Sequence, residues 1–329
     1  FDLYVKENPN SSLSFISQNG FLLNSITNDN GELHPWSTWP TVHRGVNNKY
    51  HKIRFLNQDL IPSKRYKPIW EILANNNIDV GVFGSLQSFP PISGNNYKFY
   101  LPDTFAPSKE AYPKELSLFQ KFNLDLTNEN KAISKGLLKQ NIIDLFFLLN
   151  NGILSKSSVL KAGTHIIKEK FNNKYKKRRS IVQNVLSFPI YLKYLYKYNP
   201  TFSTYFTNHV AGMMHRYWRD LFPNDFNIEK KNIDKFNSKS IIKAMDLADN
   251  NLKQLINLSH KKDFNIMVIS SMGQSAIDRG IYTEEIIISN FNKFISALGL
   301  NKNNYEINPA MQPDYCIKSK DDDSMNILR

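Results

Sequence analysis

The chain has 329 residues, of which 41% are hydrophobic, with a formal net charge of +13 and a single cysteine, Cys316. One cysteine excludes an intramolecular disulfide framework and argues against a cysteine-based metal site. The most apolar stretch, Ile142 to Leu149, is too short to cross a bilayer, so we expect no membrane span. A cytoplasmic location is the simplest expectation. Because the sequence begins with Phe1 rather than Met, a missing leader would leave export open.

The positive charge admits two interpretations. Lys, Asn and Ile are abundant throughout the chain, as expected from an AT-rich genome, and an anionic partner or substrate is the alternative. The densest basic run, Lys174 to Arg179, lacks the repeated aromatic interleaving of a base-stacking platform. We therefore expect a small anionic substrate rather than nucleic acid. The sequence leaves the oligomeric state unknown.

The first third of the chain alternates helix and strand patterns. Residues Asp2 to Gly20 are typical of a helix end, Phe21 to Thr27 of a strand, and residues 28–31 of a turn. A second helix pattern, Lys67 to Asn76, precedes a short apolar strand at Asp79 to Ser85. Helix, buried strand and small-residue loop in this order indicate a doubly wound sheet, in which ligands bind at the carboxyl ends of the strands.

The middle of the chain differs in character. Residues 123–199 carry long helical patterns, which predict helices over Ile133–Leu149, Ser155–Asn172 and Ile181–Tyr198. A strand is then predicted at Thr201–Thr207, an amphipathic helix at Ser238–Ser259, and a buried strand at Phe264–Ile269 with an exit loop over residues 270–274. The predicted fold is therefore α/β, a mostly parallel, doubly wound sheet flanked by helices. Residues 1–122 and 200–329 would form its core, and residues 123–199 a helical insertion or cap.

Residues 34–45 place hydroxyl, imidazole and guanidinium groups in one short segment, HPWSTWPTVHRG. Pro35 and Pro40 each fix φ and disfavour helix at the preceding residue, so we expect a stiff loop followed by a helix that begins near Thr41. A threonine hydroxyl is a weak nucleophile and needs a base or a metal to activate it. An aromatic-rich structural loop is the other interpretation of this segment.

The stretch Thr38-Trp39-Pro40-Thr41 resembles the nucleophile turn of the alkaline-phosphatase superfamily, in particular its type I phosphodiesterase/nucleotide-pyrophosphatase branch. The resemblance implies that Thr38 is the catalytic nucleophile beside two metal ions. It also implies that the fold is alkaline-phosphatase-like. The order of the matching segments covers most of the chain, although each motif alone is short.

Two further segments extend the resemblance. His215-Arg216-Tyr217-Trp218 is similar to the part of that branch in which an Asp and then a His bind metal, so His215 would be a metal ligand. Gly212 stands at the position of the Asp, and Asn208 or His209 would replace it as a ligand. Residues 268–273 match the strand and loop in which the family has Ser-Asp-His-Gly.

In that loop Ser271 stands at the family's Asp and Met272 at its His. We retain Ser271 as a candidate metal ligand, although hydroxyl and thioether groups are poor ligands for such a dication. The resemblance implies a divalent metal, zinc as the first candidate and manganese or magnesium as alternatives. The family's first metal-binding Asp and last metal-binding His have no counterpart in this sequence, so we expect that the chain is a fragment.

The predicted substrate contacts are Arg44, His43 and Asp103. Arg44 would hold a phosphoryl or sulfuryl oxygen through its bidentate fork, together with His43. Asp103 is either a substrate contact or a turn or N-cap residue. The resemblance thus implies a metal-dependent hydrolase of phosphate mono- or diesters, or of sulfate esters. The alternative is a catalytically degraded protein of the same fold that binds an anionic ligand or serves surface-polysaccharide assembly.

Overall fold

A computed structural model describes residues 1–56, 58–94, 96–127, 139–277, 288–308 and 315–329. The helices are α1 (Asp2–Glu7), α2 (Ser12–Asn19), α3 (Pro35–Arg44), α4 (Asn48–His51), α5 (Ile69–Asn75), α6 (Leu116–Thr127), α7 (Lys139–Asn150), α8 (Lys156–Phe171), α9 (Arg179–Tyr198), α10 (His209–Leu221), α11 (Ser240–Lys262), α12 (Phe291–Ala297) and α13 (Asp322–Leu328). The strands are β1 (Val80–Phe83), β2 (Tyr97–Leu101), β3 (Phe202–Tyr205), β4 (Tyr305–Asn308) and β5 (Cys316–Ser319). The class of the fold is α/β.

The central sheet has three parallel strands in the order β2-β1-β3. Val82 in the middle strand pairs with Tyr100 on one side and with Thr204 on the other. The predicted strand at 79–85 is therefore confirmed as β1, and the one at 201–207 as β3. Strand β2 was not predicted. Its sequence, YKFYL, is aromatic or apolar except for the charged residue Lys98, which interrupts the pattern.

Helices cover both faces of this sheet, as parallel sheets require. On one face Trp70 and Ala74 of α5 pack with Val80 and Val82 of β1. On the other face a larger cluster joins Phe83 to side chains of strand β2 and of helices α6 to α9, and its members include Phe99, Leu101, Leu116, Phe119, Leu148, Leu186, Phe188, Tyr191 and Tyr194. The middle of the sheet is thus shielded from water on both sides.

The middle of the chain is helical, as its periodicity predicts. Helices α8 and α9 match the predicted ranges closely. The first of the three predicted helices begins at Ile133, but residues 128–138 lie outside the described part of the chain, and helix α7 is described from Lys139. Because helices α6 to α9 pack in one cluster with strands β1 and β2, they form a face of the core as well as an insertion in sequence. The assignment of residues 123–199 to a separate unit stays a prediction.

Two predicted strands are wrong. Residues 21–27 and 264–269 have no regular secondary structure. Many of their apolar side chains are exposed to solvent, with Phe21 at 99%, Ile26 at 93% and Met267 at 81%, whereas Phe264 and Ile266 are half-buried against the core. An apolar pattern shows that a segment favours burial, but a strand also requires a neighbouring strand, and a local pattern does not reveal one.

The helix at the candidate nucleophile begins earlier than expected. It starts at Pro35, with His34 in an extended conformation as its N-cap, so Thr38 lies in its first turns rather than in a preceding loop. Pro35 fits the first helical position because the missing N–H would have no partner there. Pro40 lies inside the helix, contrary to the prediction, and leaves the Trp36 carbonyl without its usual partner. Gly45 ends the helix in the left-handed conformation at φ 66°.

The C-terminal part of the chain contains a second, two-stranded sheet. Strands β4 and β5 are antiparallel, and Ile295, Leu300 and Tyr305 form a small buried cluster beside them. Asp321 accepts a hydrogen bond from the Ser324 N–H and caps helix α13. None of the described helices is long and apolar enough to cross a membrane.

Candidate functional site

The hydroxyl of Thr38 meets a segment from the far end of the chain. Thr38 Oγ1 lies 2.9 Å from Ser271 Oγ and 3.8 Å from Met272 Sδ, and it also lies 3.2 Å from the His34 carbonyl oxygen in its own helix. The side chain is 1% exposed. Two of the sequence motifs, 233 residues apart, are therefore in direct contact.

The same loop also reaches the third motif. Gln274 donates a hydrogen bond from Nε2 to Nδ1 of His215 at 3.0 Å. Residues 270–274 therefore connect the first turns of helix α3 with helix α10. Because Nδ1 accepts this bond, Nε2 of His215 is the ring nitrogen left for another partner. The arrangement places an imidazole and two hydroxyls along one loop.

His209 and Asn208 are placed differently. His209 is 2% exposed, and Nε2 donates to the Ala244 carbonyl at 3.1 Å, which leaves Nδ1 to accept from Thr207 Oγ1 at 2.8 Å. Both ring nitrogens are thus engaged within the protein, and burial lowers the pKa of His209 to about 4. Asn208 is exposed at the start of helix α10 and makes no side-chain cap there.

The Thr207 hydroxyl continues this network. Asn184 donates from Nδ2 to Thr207 Oγ1 and to the Tyr205 hydroxyl, both at 3.0 Å. Asn251 in turn donates to Asn184 Oδ1 at 2.7 Å. The network joins helices α9, α10 and α11 at the carboxyl end of strand β3, and it sets the His209 tautomer with the proton on Nε2.

His43 and Arg44 lie at the other end of helix α3. His43 is 8% exposed and packs near Trp39 and Trp70, with ring centroids 5.7 and 4.8 Å away. Burial lowers its pKa to about 3, and the charge of Arg44 contributes. Arg44 is six residues from Thr38, about 9 Å along the helix axis and on a different face. The structure therefore does not bring Thr38 and Arg44 to one point on the helix surface.

Arg44 has unused hydrogen-bonding capacity. Its Nε and Nη1 atoms are buried without a hydrogen-bond partner among the described residues. Burial lowers its pKa to about 10, while Tyr100 and Glu71 act in the opposite direction. A buried guanidinium with free N–H groups is suited to a carboxylate, phosphate or sulfate. This is the feature of Arg44 that agrees with a role in holding an anion.

Asp103 has the geometry of a turn residue. Its Oδ1 accepts from the Phe105 N–H at 2.8 Å, and its Oδ2 accepts from the Ser88 N–H at 3.4 Å. The side chain is 4% exposed, and burial raises its pKa to about 6 against the opposing effect of these backbone bonds. The structure thus agrees with the interpretation of Asp103 as a turn residue, because its carboxylate accepts backbone hydrogen bonds.

Sequence reasoning missed a second network beside Thr38. Asp29 Oδ1 accepts from Thr41 Oγ1 at 2.7 Å and from the Asn48 N–H at 2.9 Å. Thr41 Oγ1 lies 2.9 Å from His51 Nε2, and His51 Nδ1 accepts from the Ile53 N–H. His51 therefore carries its proton on Nε2 and donates to Thr41. The available signal was the turn at residues 28–31, whose Asp29 accepts hydrogen bonds from Ser37 and Thr41 of helix α3.

The described residues do not form a complete metal site. Among them, no group of three or more His, Cys, Asp or Glu side chains is arranged to hold a metal ion. The potential donors are the hydroxyl of Ser271 and the thioether of Met272, which contact Thr38, and the imidazole of His215, which contacts the same loop through Gln274. Hydroxyl and thioether groups are weak ligands for zinc, manganese or magnesium. These donors do not fit the metal pair that the sequence resemblance implies.

Comparison with family models, with curated proteins and with solved structures found no match to this chain.

Proposed function

We propose that the chain is an alkaline-phosphatase-like hydrolase that acts on a small phosphate mono- or diester, or on a sulfate ester, through Thr38. The observation that carries this proposal is the loop at residues 270–274, which contacts both Thr38 and His215. These are the motifs that suggested the family, and they were identified from separate parts of the sequence. Their contact with one loop supports a common site.

The position of Thr38 suits an anionic ester. It lies in the first turns of helix α3, where the helix dipole favours negative charge. In this proposal Thr38 Oγ1 forms a bond to the phosphorus or sulfur atom while the ester bond to the leaving-group oxygen breaks, and the hydroxyl proton passes to that oxygen. Water then hydrolyses the covalent intermediate and regenerates the Thr38 hydroxyl. Arg44 and His43, at the other end of the helix, would contact a distal part of the substrate rather than the reacting atom.

A divalent metal, zinc first and manganese or magnesium as alternatives, belongs to this proposal as the group that would lower the pKa of the hydroxyl. Because Ser271, Met272 and His215 do not make a complete donor set, we derive no step through it. The free thiol of Cys316 is compatible with a reducing compartment, and we propose a cytoplasmic location.

The second candidate is a protein of this kind that binds an anionic ester without cleaving it. Two observations favour it. The Thr38 side chain is buried, so a substrate would reach its hydroxyl only after neighbouring side chains move. Its partners are a hydroxyl and a thioether, and neither is a base that could take its proton. In this candidate Arg44 binds the anion and Thr38 is structural.

The experiment compares the wild-type chain with Thr38→Ala and with the control Thr201→Ala, an exposed threonine outside the site. Turnover of p-nitrophenyl phosphate, bis-p-nitrophenyl phosphate and p-nitrophenyl sulfate is measured with added zinc, manganese or magnesium, and circular dichroism verifies folding. Hydrolysis that Thr38→Ala abolishes and Thr201→Ala retains supports the enzyme. Absence of turnover, with phosphate binding by calorimetry that Arg44→Ala removes, supports the second candidate. Absence of both turnover and binding refutes the proposed function.

A further inference from the structure

Helix α8 presents an apolar stripe to solvent. Leu160, Ile167 and Phe171 are 70%, 55% and 88% exposed. They are separated by seven and four residues, which places them within about 40° of one another around the helix. The opposite side of the helix is buried through Ser158, Ala162 and Glu169. The apolar stripe therefore lies at the centre of the outward face and not at the edge of the core.

Lysines flank this stripe on both sides. Lys161 and Lys168 lie about 80–100° from its centre in one direction, and Lys170 lies about 80° in the other. All three are exposed, and so is Lys156 at the start of the helix. We define Leu160, Ile167, Phe171 and these four lysines as the α8 face.

Negative charge is absent from this surface of the helix. The sole carboxylate in the α8 sequence is Glu169, which is buried and accepts hydrogen bonds from Arg179 at 2.6 and 2.8 Å. The exposed lysines therefore have no acidic neighbour on their own helix. An apolar centre with cationic edges is the arrangement of a helix that lies in the plane of a membrane interface.

The neighbouring basic run contributes less than its sequence suggests. Lys174 pairs with Asp234, and Arg178 is buried, with Nε donating to Ser240 Oγ at 3.0 Å. These contacts attach the run to the chain segment that precedes helix α11. Lys174 and Arg178 therefore offer less positive charge to a partner than the sequence alone suggests.

We propose that the α8 face docks this protein onto an anionic phospholipid surface. The stripe would enter the boundary between headgroups and acyl chains, and the lysines would extend their ammonium groups to lipid phosphates while their methylene stems cover apolar surface. Nucleic acid fits less well, because contacts to a phosphate backbone leave aliphatic side chains such as Leu160 and Ile167 in water. The inference does not depend on the chemistry at Thr38.

The test is co-sedimentation of the full chain with vesicles of phosphatidylcholine alone and of phosphatidylcholine mixed with phosphatidylglycerol. The wild type is expected to bind the mixed vesicles, more strongly at low salt, and to bind the neutral vesicles weakly. Lys168→Gln is expected to weaken binding to the mixed vesicles about fivefold, since one lysine near such a surface contributes about 1 kcal/mol. Lys302→Gln, an exposed lysine in another part of the chain, is the control that retains binding.

The apolar contribution is tested with Ile167→Ser combined with Phe171→Ser. This double variant is expected to lose about tenfold or more in binding to the mixed vesicles. Its matched control is Phe21→Ser combined with Leu23→Ser, whose side chains are 99% and 85% exposed in the folded chain. Because all four positions are exposed, each variant is expected to keep the far-ultraviolet circular dichroism of the wild type.

Three results would overturn the proposal. The first is that the wild type fails to bind mixed vesicles at low salt. The second is that the control variants lose binding as much as the α8 variants, which would show a non-specific effect of charge or hydrophobicity. The third is that duplex DNA or heparin removes the protein from vesicles while the apolar double variant binds vesicles normally, which would identify a polyanion as the partner.

Discussion

Acid is expected to destabilise this fold through three buried histidines. His43, His51 and His209 are 8%, 0% and 2% exposed, and burial holds their pKa values at about 3, about 4 and about 4. In the unfolded chain a histidine has a pKa of about 6.5, so the unfolded state takes up protons first as the pH falls. The free energy of unfolding is therefore not reduced by these histidines above pH about 6.5, and it falls progressively as the pH decreases towards about 4.

The magnitude follows from the pKa of about 4 that burial gives His209. Between pH 7.5 and pH 5, one histidine with this shift would lower the free energy of unfolding by about 2 kcal/mol. Asp103 acts in the opposite direction, because burial raises its pKa to about 6 and its burial is less costly when it is protonated. It would restore about 1 kcal/mol over the same range. Three histidines against one aspartate leave a net loss on acidification.

The assay is urea unfolding followed by tryptophan fluorescence at several pH values between 5 and 7.5 and at constant ionic strength. The variant His209→Gln removes one buried imidazole and is expected to lower stability at pH 7.5, since its bonds to Thr207 and Ala244 are weakened. It should also reduce the dependence of the unfolding free energy on pH. His260→Gln, at an exposed position, is the control for this slope. The reasoning is refuted if the wild type becomes more stable between pH 7.5 and pH 5, or if His209→Gln retains the full wild-type slope.

Further predictions concern stability measured by the same unfolding assay. Gly81→Ala would place a Cβ 2.2 Å from the ring of Phe99, so we expect a loss of about 1–3 kcal/mol that Phe99→Leu partly relieves; equal losses in both backgrounds would contradict this. Asp29→Ala removes the acceptor of Thr41 and should cost about 1–3 kcal/mol, whereas a change within about 0.5 kcal/mol would show that the network contributes little. Lys52 has a φ of 62°, and Lys52→Gly is expected to stabilise the chain by about 0.5–1 kcal/mol, so a loss of stability would argue against this conformation.

The helices and strands that could be predicted have a recognisable pattern within their own residues. Strand β1 has four consecutive buried residues, and helices α8 and α9 repeat apolar side chains at the helical period over four turns or more. A short window of sequence is sufficient for both patterns. The sequence also contains a signal for the early start of helix α3, because Pro35 occupies the first helical position, where proline is tolerated. The error came from giving equal weight to Pro40, which the helix accommodates.

The remaining features depend on neighbours that a local pattern does not specify. Residues 21–27 and 264–269 have strand-like sequences and lack strand partners in the described structure. The proximity of Thr38 to Ser271 was inferred from a resemblance and the pairing of His51 with Thr41 was not foreseen, because neither contact leaves a periodic signal. Whether His209 faces a site or the core was likewise decided by Ala244, which is distant in sequence.

The contact between Thr38 and Ser271 has a consequence for how this region assembles. It closes a chain loop of 233 residues, whereas the parallel pairing of β1 with β2 joins residues fewer than twenty positions apart. A nascent chain would therefore complete its first strand pair long before residue 271 has been synthesised. Cleavage after helix α11 would separate Ser271 from Thr38 and leave the three strands of the central sheet on one fragment. The candidate site would therefore form after the central sheet, and such a cleavage would remove the site while the sheet keeps its three strands.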